Sequence, residues 1–287
     1  MNDFVWLVRR EFWENKAIWI IPACIGALLL VAALFGRIEV PMLSAAEHQS
    51  TTAGVLLLVA VGVVFWVPMG IYSSWYLLDC LYADRKDRSV LFWKSLPISD
   101  RATVLCKLFV GVIAVPAVYF LVADLSALLV AGAVSVRERA VFGDVLWRPE
   151  LWLQQQVIWL YLIATSALWY LPVAGWLMLV SAWAKRAVIL QAVLPPLAII
   201  LAERLFLGTH AFGGLLRDRL FGGGYVSLHH PIHWSLSQAG PAGTTPGVWN
   251  LPDPQGFLLS PQVWIGALVG AVFIAGAVQL RMRRADT

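Results

Sequence analysis

The sequence predicts an all-α, polytopic membrane protein with six transmembrane helices, and three observations carry that reading. Hydrophobic residues make up 60% of the 287 and charged residues only 13%, where a soluble domain carries about a quarter. Apolar runs recur along the chain, each close to the length that crosses a ~30 Å hydrocarbon layer as a helix. Short charged patches separate the runs and hold most of the Lys and Arg. The whole of 1–287 therefore reads as a single transmembrane domain. The net charge of +4 sits beside apolar runs, which argues against a nucleic-acid partner. Cys24, Cys80 and Cys106 offer no disulfide framework and no CxxC metal pair.

Residues 2–16 place Phe4, Leu7, Val8 and Phe12 at helical spacing, with Arg9, Arg10 and Glu14 on a polar side. Trp6 and Trp13 suit the headgroup region, so an interfacial helix is expected, the alternative being the polar start of the first span. Span 1 is 17–35, with Pro22 in its first turns where lost hydrogen bonds cost least. Span 2 is 53–78, and Pro68 within it predicts a kink. Span 3 is 108–134. Residues 136–156 mix charges with Val141, Phe142, Trp147 and Trp152 and read as a surface-lying amphipathic segment. Span 4 is 157–183 with Pro172 at its middle, and span 5 is 187–207 with Pro195 and Pro196. Residues 208–261 are rich in Gly and Pro and form a long external segment, in which Phe212, Leu215, Leu216 and Leu220 suit one face of a short helix. Span 6 is 262–280, followed by a basic tail of Arg281, Arg283 and Arg284.

Six spans put both termini on one side with the 79–107 stretch and the Lys185–Arg186 turn. That side carries the larger share of Lys and Arg, so both termini are expected in the cytoplasm.

Candidate chemistry inside the spans is sparse. Asp124 is an acid within span 3, a costly placement that must face protein or water; it either relays a proton or cation, or pairs with a hydroxyl or a cavity wall. Glu203 and Arg204 close span 5 and are candidates for gating at the outer mouth. His229, His230 and His233 lack HExxH order and a carboxylate at ligand spacing, so no metal is expected. No GxxxxGK[ST] stretch cradles nucleotide phosphates, so any ATP hydrolysis belongs to another chain. Gly266 and Gly270 form a GxxxG pair in span 6, which allows close helix approach.

The 79–107 stretch, DCLYADRKDRSVLFWKSLPISDRATVLCK, is the densest charged patch between two spans. It also carries Leu91, Phe92, Trp93 and Leu96 ahead of Pro97, which a merely soluble loop does not need. Its acids and bases are interspersed, unlike a lipid-binding patch, which is overwhelmingly basic. Exposed apolar residues with alternating charges suit a short helix docking into a partner groove.

From Tyr76 to Asp100 this stretch resembles the signature region of bacterial ABC-2 type transporter permease subunits, on Asp79, Leu81, Tyr82, Asp84, Arg85, Asp87, Arg88, Ser89, Phe92, Trp93, Lys94, Ser95, Leu96, Pro97 and Asp100. The resemblance implies an interfacial N-terminal helix, six spans, a cytoplasmic coupling helix between spans 2 and 3, and short re-entrant helices between spans 5 and 6. It implies an exporter subunit of a bacterial inner membrane, working as two permeases with two ATP-binding subunits. The residues expected to touch the ATPase are Asp84, Arg85, Asp87, Arg88, Leu91, Phe92, Trp93, Lys94 and Leu96. The chain would carry no cofactor and no catalysis of its own, ATP and Mg²⁺ lying in the partner. Cargo is expected to be amphipathic or hydrophobic. The rival readings are a membrane-embedded lipid-modifying enzyme using His229 to His233, an ion-coupled carrier using Asp124, and a sensory or structural subunit coupled to an ATPase without flux.

Overall fold

In the computed structural model residues 3–36, 47–86, 99–137, 147–223, 227 and 252–284 are described. Their elements are helices: α1 Asp3–Glu14, α2 Ala17–Phe35, α3 Glu47–Lys86, α4 Asp100–Phe109, α5 Val115–Arg137, α6 Pro149–Trp169, α7 Leu171–Trp183, α8 Val188–Ala202, α9 Ala211–Phe221, α10 Pro254–Leu259 and α11 Pro261–Arg284. Two π-helical turns, Val110–Ala114 and Glu203–Leu207, join α4 to α5 and end α8. Among the described residues five stretches are long and apolar enough to cross a membrane: Ala17–Phe35, Ala60–Lys86, Asp100–Arg137, Val188–Leu207 and Pro261–Arg283. A sixth crossing exists if Trp152–Trp169 and Leu171–Trp183, bent by 54°, act as one broken span. The architecture is that of an all-α, multi-pass membrane protein.

Helix bounds depart from the hydropathy boundaries where polar residues find partners. α3 runs past Leu78 to Lys86, because Leu77, Leu78 and Leu81 keep its buried face going to Asp84 with no Pro or Gly to stop it. α4 opens at Asp100 with Ser99 as its cap, the hydroxyl accepting from Ala102 N at 3.2 Å. The 136–156 stretch is not one surface helix: α5 continues through Arg137, and α6 starts at Pro149 with Glu150 in its first turn. Proline suits that first helical position, where its missing N–H costs nothing, and an acid suits the positive helix end. Residues 138–146 of that stretch lie outside the described residues.

The prolines act differently by position. Pro172 falls just after the break at Tyr170, where it withholds the N–H that Leu168 O would have accepted. Pro116 lies two residues after the π turn, which widens the ladder where a donor is missing and a ring would collide with the preceding turn. Pro68, Pro195 and Pro196 sit inside helices that continue through them.

Cα packing divides the chain into two units: Met1–Val8, Ser74–Ile113 and Leu160–Thr287 form one, Arg9–Ser73 and Ala114–Trp159 the other. In the first, α7 and α11 pack closely along glycines. A Cβ on Gly175 would lie 2.7 Å from Gly270 O, and one on Gly270 would lie 2.8 Å from the Leu171 carbonyl. Gly270 of the GxxxG pair thus serves an interface within the chain, where backbone meets backbone. In the second unit α2 lies along α5, with Gly26 making room for Ser126.

Gly270→Ala is expected to destabilise the protein by about 1–3 kcal/mol, since the methyl group meets backbone that cannot yield. Gly132, with nothing within 4 Å of its would-be Cβ, is the control: Gly132→Ala should be neutral or stabilising by up to ~1 kcal/mol. The midpoint of heat-induced aggregation in mild detergent compares the two; equal shifts would mean that the α7–α11 contact is not tight.

Candidate functional site

The charged 79–107 stretch divides in the structure. α3 carries it to Lys86 and the chain is described again from Ser99. Residues 87–98 lie outside the described residues, and with them Asp87, Arg88, Leu91, Phe92, Trp93, Lys94 and Leu96.

The two flanks of this segment meet on one guanidinium. Arg281, in the last turn of α11, donates from Nη1 to Asp84 Oδ2 at 3.0 Å and from Nε to Asp100 Oδ1 at 2.9 Å. Lys107 Nζ lies 3.3 Å from the other Asp84 oxygen, Oδ1. The side chains of Asp84, Lys107 and Arg281 are 7%, 3% and 9% exposed and that of Asp100 is 23% exposed, so among the described residues two acids and two bases meet in a largely buried group. Burying such charges is costly and repaid only by good pairing, while loss of one partner strands the rest. The group therefore holds α3, α4 and α11 to one arrangement.

Arg85 adds a fourth helix. Its Nη2 donates to Ser181 O and, at 2.9 Å, to Ala184 O, carbonyls at the C-terminal end of α7. Ser181, fully buried, accepts on its hydroxyl from Leu81 N and Tyr82 N at 3.0 and 3.1 Å. Asp84 and Arg85, expected to touch an ATPase, make these contacts with α4, α7 and α11.

A second polar site lies where the broken helix meets α9. The break at Tyr170 frees the Trp169 carbonyl, which Arg219 Nη1 takes up at 3.2 Å, while its Nη2 donates to Gln262 O. Trp169 answers by donating from Nε1 to Arg219 O at 3.0 Å, and Tyr170 Oη donates to Leu220 O at 3.1 Å. The guanidinium lies 4.3 Å from the centroid of the Trp169 ring. Gly266 leaves the space the guanidinium fills. Burial pushes the Arg219 guanidinium below its ordinary pKa, the desolvation disfavouring its charge.

Glu203, a gating candidate in sequence, closes the same region. Its carboxylate accepts from Thr209 Oγ1 at 2.8 Å, from Ala211 N at 2.6 Å and from Phe212 N at 2.9 Å. His210 at the cap position offers α9 no side-chain bond, so Glu203 supplies the cap from the preceding helix. An acid there also complements the positive helix end. Gly208, at φ 63°, makes the left-handed turn between the two helices. Arg204 is exposed. In α9 it is Arg219 that is buried, while Leu215 and Leu220 are exposed.

Asp124 is half-buried, and both of its oxygens accept from Gln156 Nε2 at 2.7 Å. The partner is thus an amide, not a hydroxyl. His229 to His233 lie outside the described residues. Among the described residues no group of three His, Cys, Asp or Glu is placed to hold a metal.

Lys107, Ser181, Arg219 and Arg281 had escaped the sequence reading as site residues. Lys107 and Arg281 each sit at the rim of an apolar run, where a basic residue reads as a sidedness label; a nearby acid with its own buried face, Asp84, was the available signal. Compared with protein-family models, with curated proteins and with solved structures, the chain matches none of them.

Lys107→Met is expected to cost about 3–5 kcal/mol, the usual penalty for stranding a buried charge. Adding Asp84→Leu should cost less than the two single changes summed, because Arg281 keeps Asp100. Melting of both single variants and the double variant checks this; strict additivity would mean that the two side chains do not interact.

Proposed function

We propose that the chain is the membrane-spanning permease subunit of an ATP-driven exporter of the ABC-2 type in a bacterial inner membrane. In this reading the broken helix is one span, the spans number six, both termini are cytoplasmic, and α1 lies at the interface. Residues 87–98 are the coupling element that meets a cytoplasmic ATP-binding subunit through Asp87, Arg88, Leu91, Phe92, Trp93, Lys94 and Leu96. ATP and Mg²⁺ are handled in that subunit, and two permeases work with two ATPases around lipid-bounded cargo of amphipathic or hydrophobic character.

The observation that carries this reading is the buried charge group at both flanks of 87–98. A segment that passes force from a partner to the spans needs ends that do not slip. Arg281 ties the residues before and after it to the last span, and Arg85 ties the first flank to α7. A solvated loop with only a topological role needs no such anchorage. Within the segment, apolar residues among alternating charges suit a protein groove. The 208–261 segment, with α9 anchored by Arg219 and Glu203, stands on the external side in this topology.

Gentle purification from native membranes, with mass spectrometry and an ATP-hydrolysis assay, tests the proposal. A stoichiometric nucleotide-binding partner is expected. Changing both Arg88 and Trp93 to Ala should lower its recovery by about tenfold or more, the scale of losing two interface anchors, while leaving the melting temperature unchanged. A folded chain that comes down alone in several mild detergents would sink the exporter reading and turn attention to His229–His233.

A further inference from the structure

The unit formed by Arg9–Ser73 and Ala114–Trp159 holds a feature that coupling does not use. Asp124 lies inside the span Asp100–Arg137, and its hydrogen bonds come from one neutral amide, that of Gln156. No cationic side chain pairs with it among the described residues. An amide shares in a carboxylate's hydrogen bonding but leaves its charge uncancelled, and an acid at membrane depth without a counter-charge is costly.

One helical turn away, the same seam becomes aromatic. Phe120 stands four residues before Asp124 and Trp159 three after Gln156, spacings that keep each pair on one helix face. The Phe120 and Trp159 rings are 6.0 Å apart, and Trp66 stacks on Trp159 at 5.5 Å and 22°. Gly62, one turn before Trp66, gives the Trp159 indole its place, since a Cβ there would run into the ring. Asp124, Gln156, Phe120, Trp159 and Trp66 are all half-buried, so none is sealed in the core. Beside Gln156, the buried Gln155 Oε1 has no hydrogen-bond partner.

A lone carboxylate one helical turn from half-buried aromatic rings has the chemistry that holds an organic cation. The acid supplies the opposite charge, the ring quadrupoles attract the cation, and apolar substituents meet the indoles. An inorganic divalent ion needs six or more oxygens at close range, and a neutral lipid has no use for the acid. We infer that Asp124, with Phe120, Trp159 and Trp66, forms a binding site for an organic cation bearing apolar substituents. This narrows the cargo class of the proposed exporter, and it rests on that reading only for the movement of the bound cation, not for its binding.

The test is equilibrium binding of radiolabelled tetraphenylphosphonium to the full-length chain in phosphatidylcholine nanodiscs, with tetraphenylborate as an anion of the same shape. Saturable phosphonium binding is expected. Asp124→Asn should weaken it about tenfold or more and Trp159→Leu about three- to fivefold, in line with removal of the charge and of one cation–π face. Asp124→Glu should retain most of it, and tetraphenylborate uptake should be the same in every variant. Melting curves establish that each variant is folded; if Asp124→Asn is not, the Trp159→Leu and Asp124→Glu comparison decides. Non-saturable uptake, or equal affinity in wild type and folded variants, overturns the site. Binding needs no ATPase, so saturable binding by a chain that recruits no nucleotide-binding partner would fault the exporter reading alone, and recruitment without binding would fault this site alone.

Discussion

Backbone groups at helix ends have nowhere to go in an apolar solvent, and the structure is arranged around that constraint. Each helix finishes with carbonyls that lack an intrahelical donor, and wherever water is excluded nothing replaces it. Here arginines from distant helices do so. Arg85 reaches the end of α7, Arg219 reaches the end of α6, and Arg137 donates from Nη1 to Ala33 O at 2.7 Å and Gly36 O at 2.6 Å at the end of α2. A guanidinium suits the task, because it presents several donors in a fixed plane and its charge opposes the negative helix end. At the opposite kind of terminus Glu203 performs the complementary service for α9.

Each cap also fixes one element against another, which couples local satisfaction to architecture. The break at Tyr170 would expose a carbonyl; by accepting from Arg219 it docks α9 onto the bend, and the same arginine reaches the first turn of α11. Glycine at 266 is what admits the guanidinium there, so the small-residue pattern of the last span serves two packing needs, a side chain at one turn and a helix backbone at the next. The charge group of Asp84, Asp100, Lys107 and Arg281 extends the logic from backbone to side chains. Its strength comes from the mutual dependence of groups mostly withdrawn from water.

In the coupling role proposed above, the helices on either side of residues 87–98 supply anchorage, since both are tied to the last span. The acid at 124 is the opposite case, a charge held by an amide alone among partly open aromatic rings. One acid is paired with basic side chains; the other, in the site inferred above, keeps capacity for a ligand.

Helix type, membrane character and the approximate spans were legible in the sequence, because hydropathy is a local property that needs no partner. Pro172 stands at the middle of the span that is bent, and the 79–107 stretch stood out by composition alone. The roles of individual charges were not legible. Arg281 read as the start of a tail and Arg219 was not singled out, since each is defined by a partner 50 or more positions away: 197 for Arg281 with Asp84, and 50 for Arg219 with Trp169. Burial of Lys107 could not be read from its place at a span rim either, for a rim lysine that snorkels and one that pairs inward have the same neighbours in sequence. The sequence by itself determined which stretches leave water. Only the tertiary structure decided which charges go with them, because a buried charge is tolerated solely where a particular partner meets it.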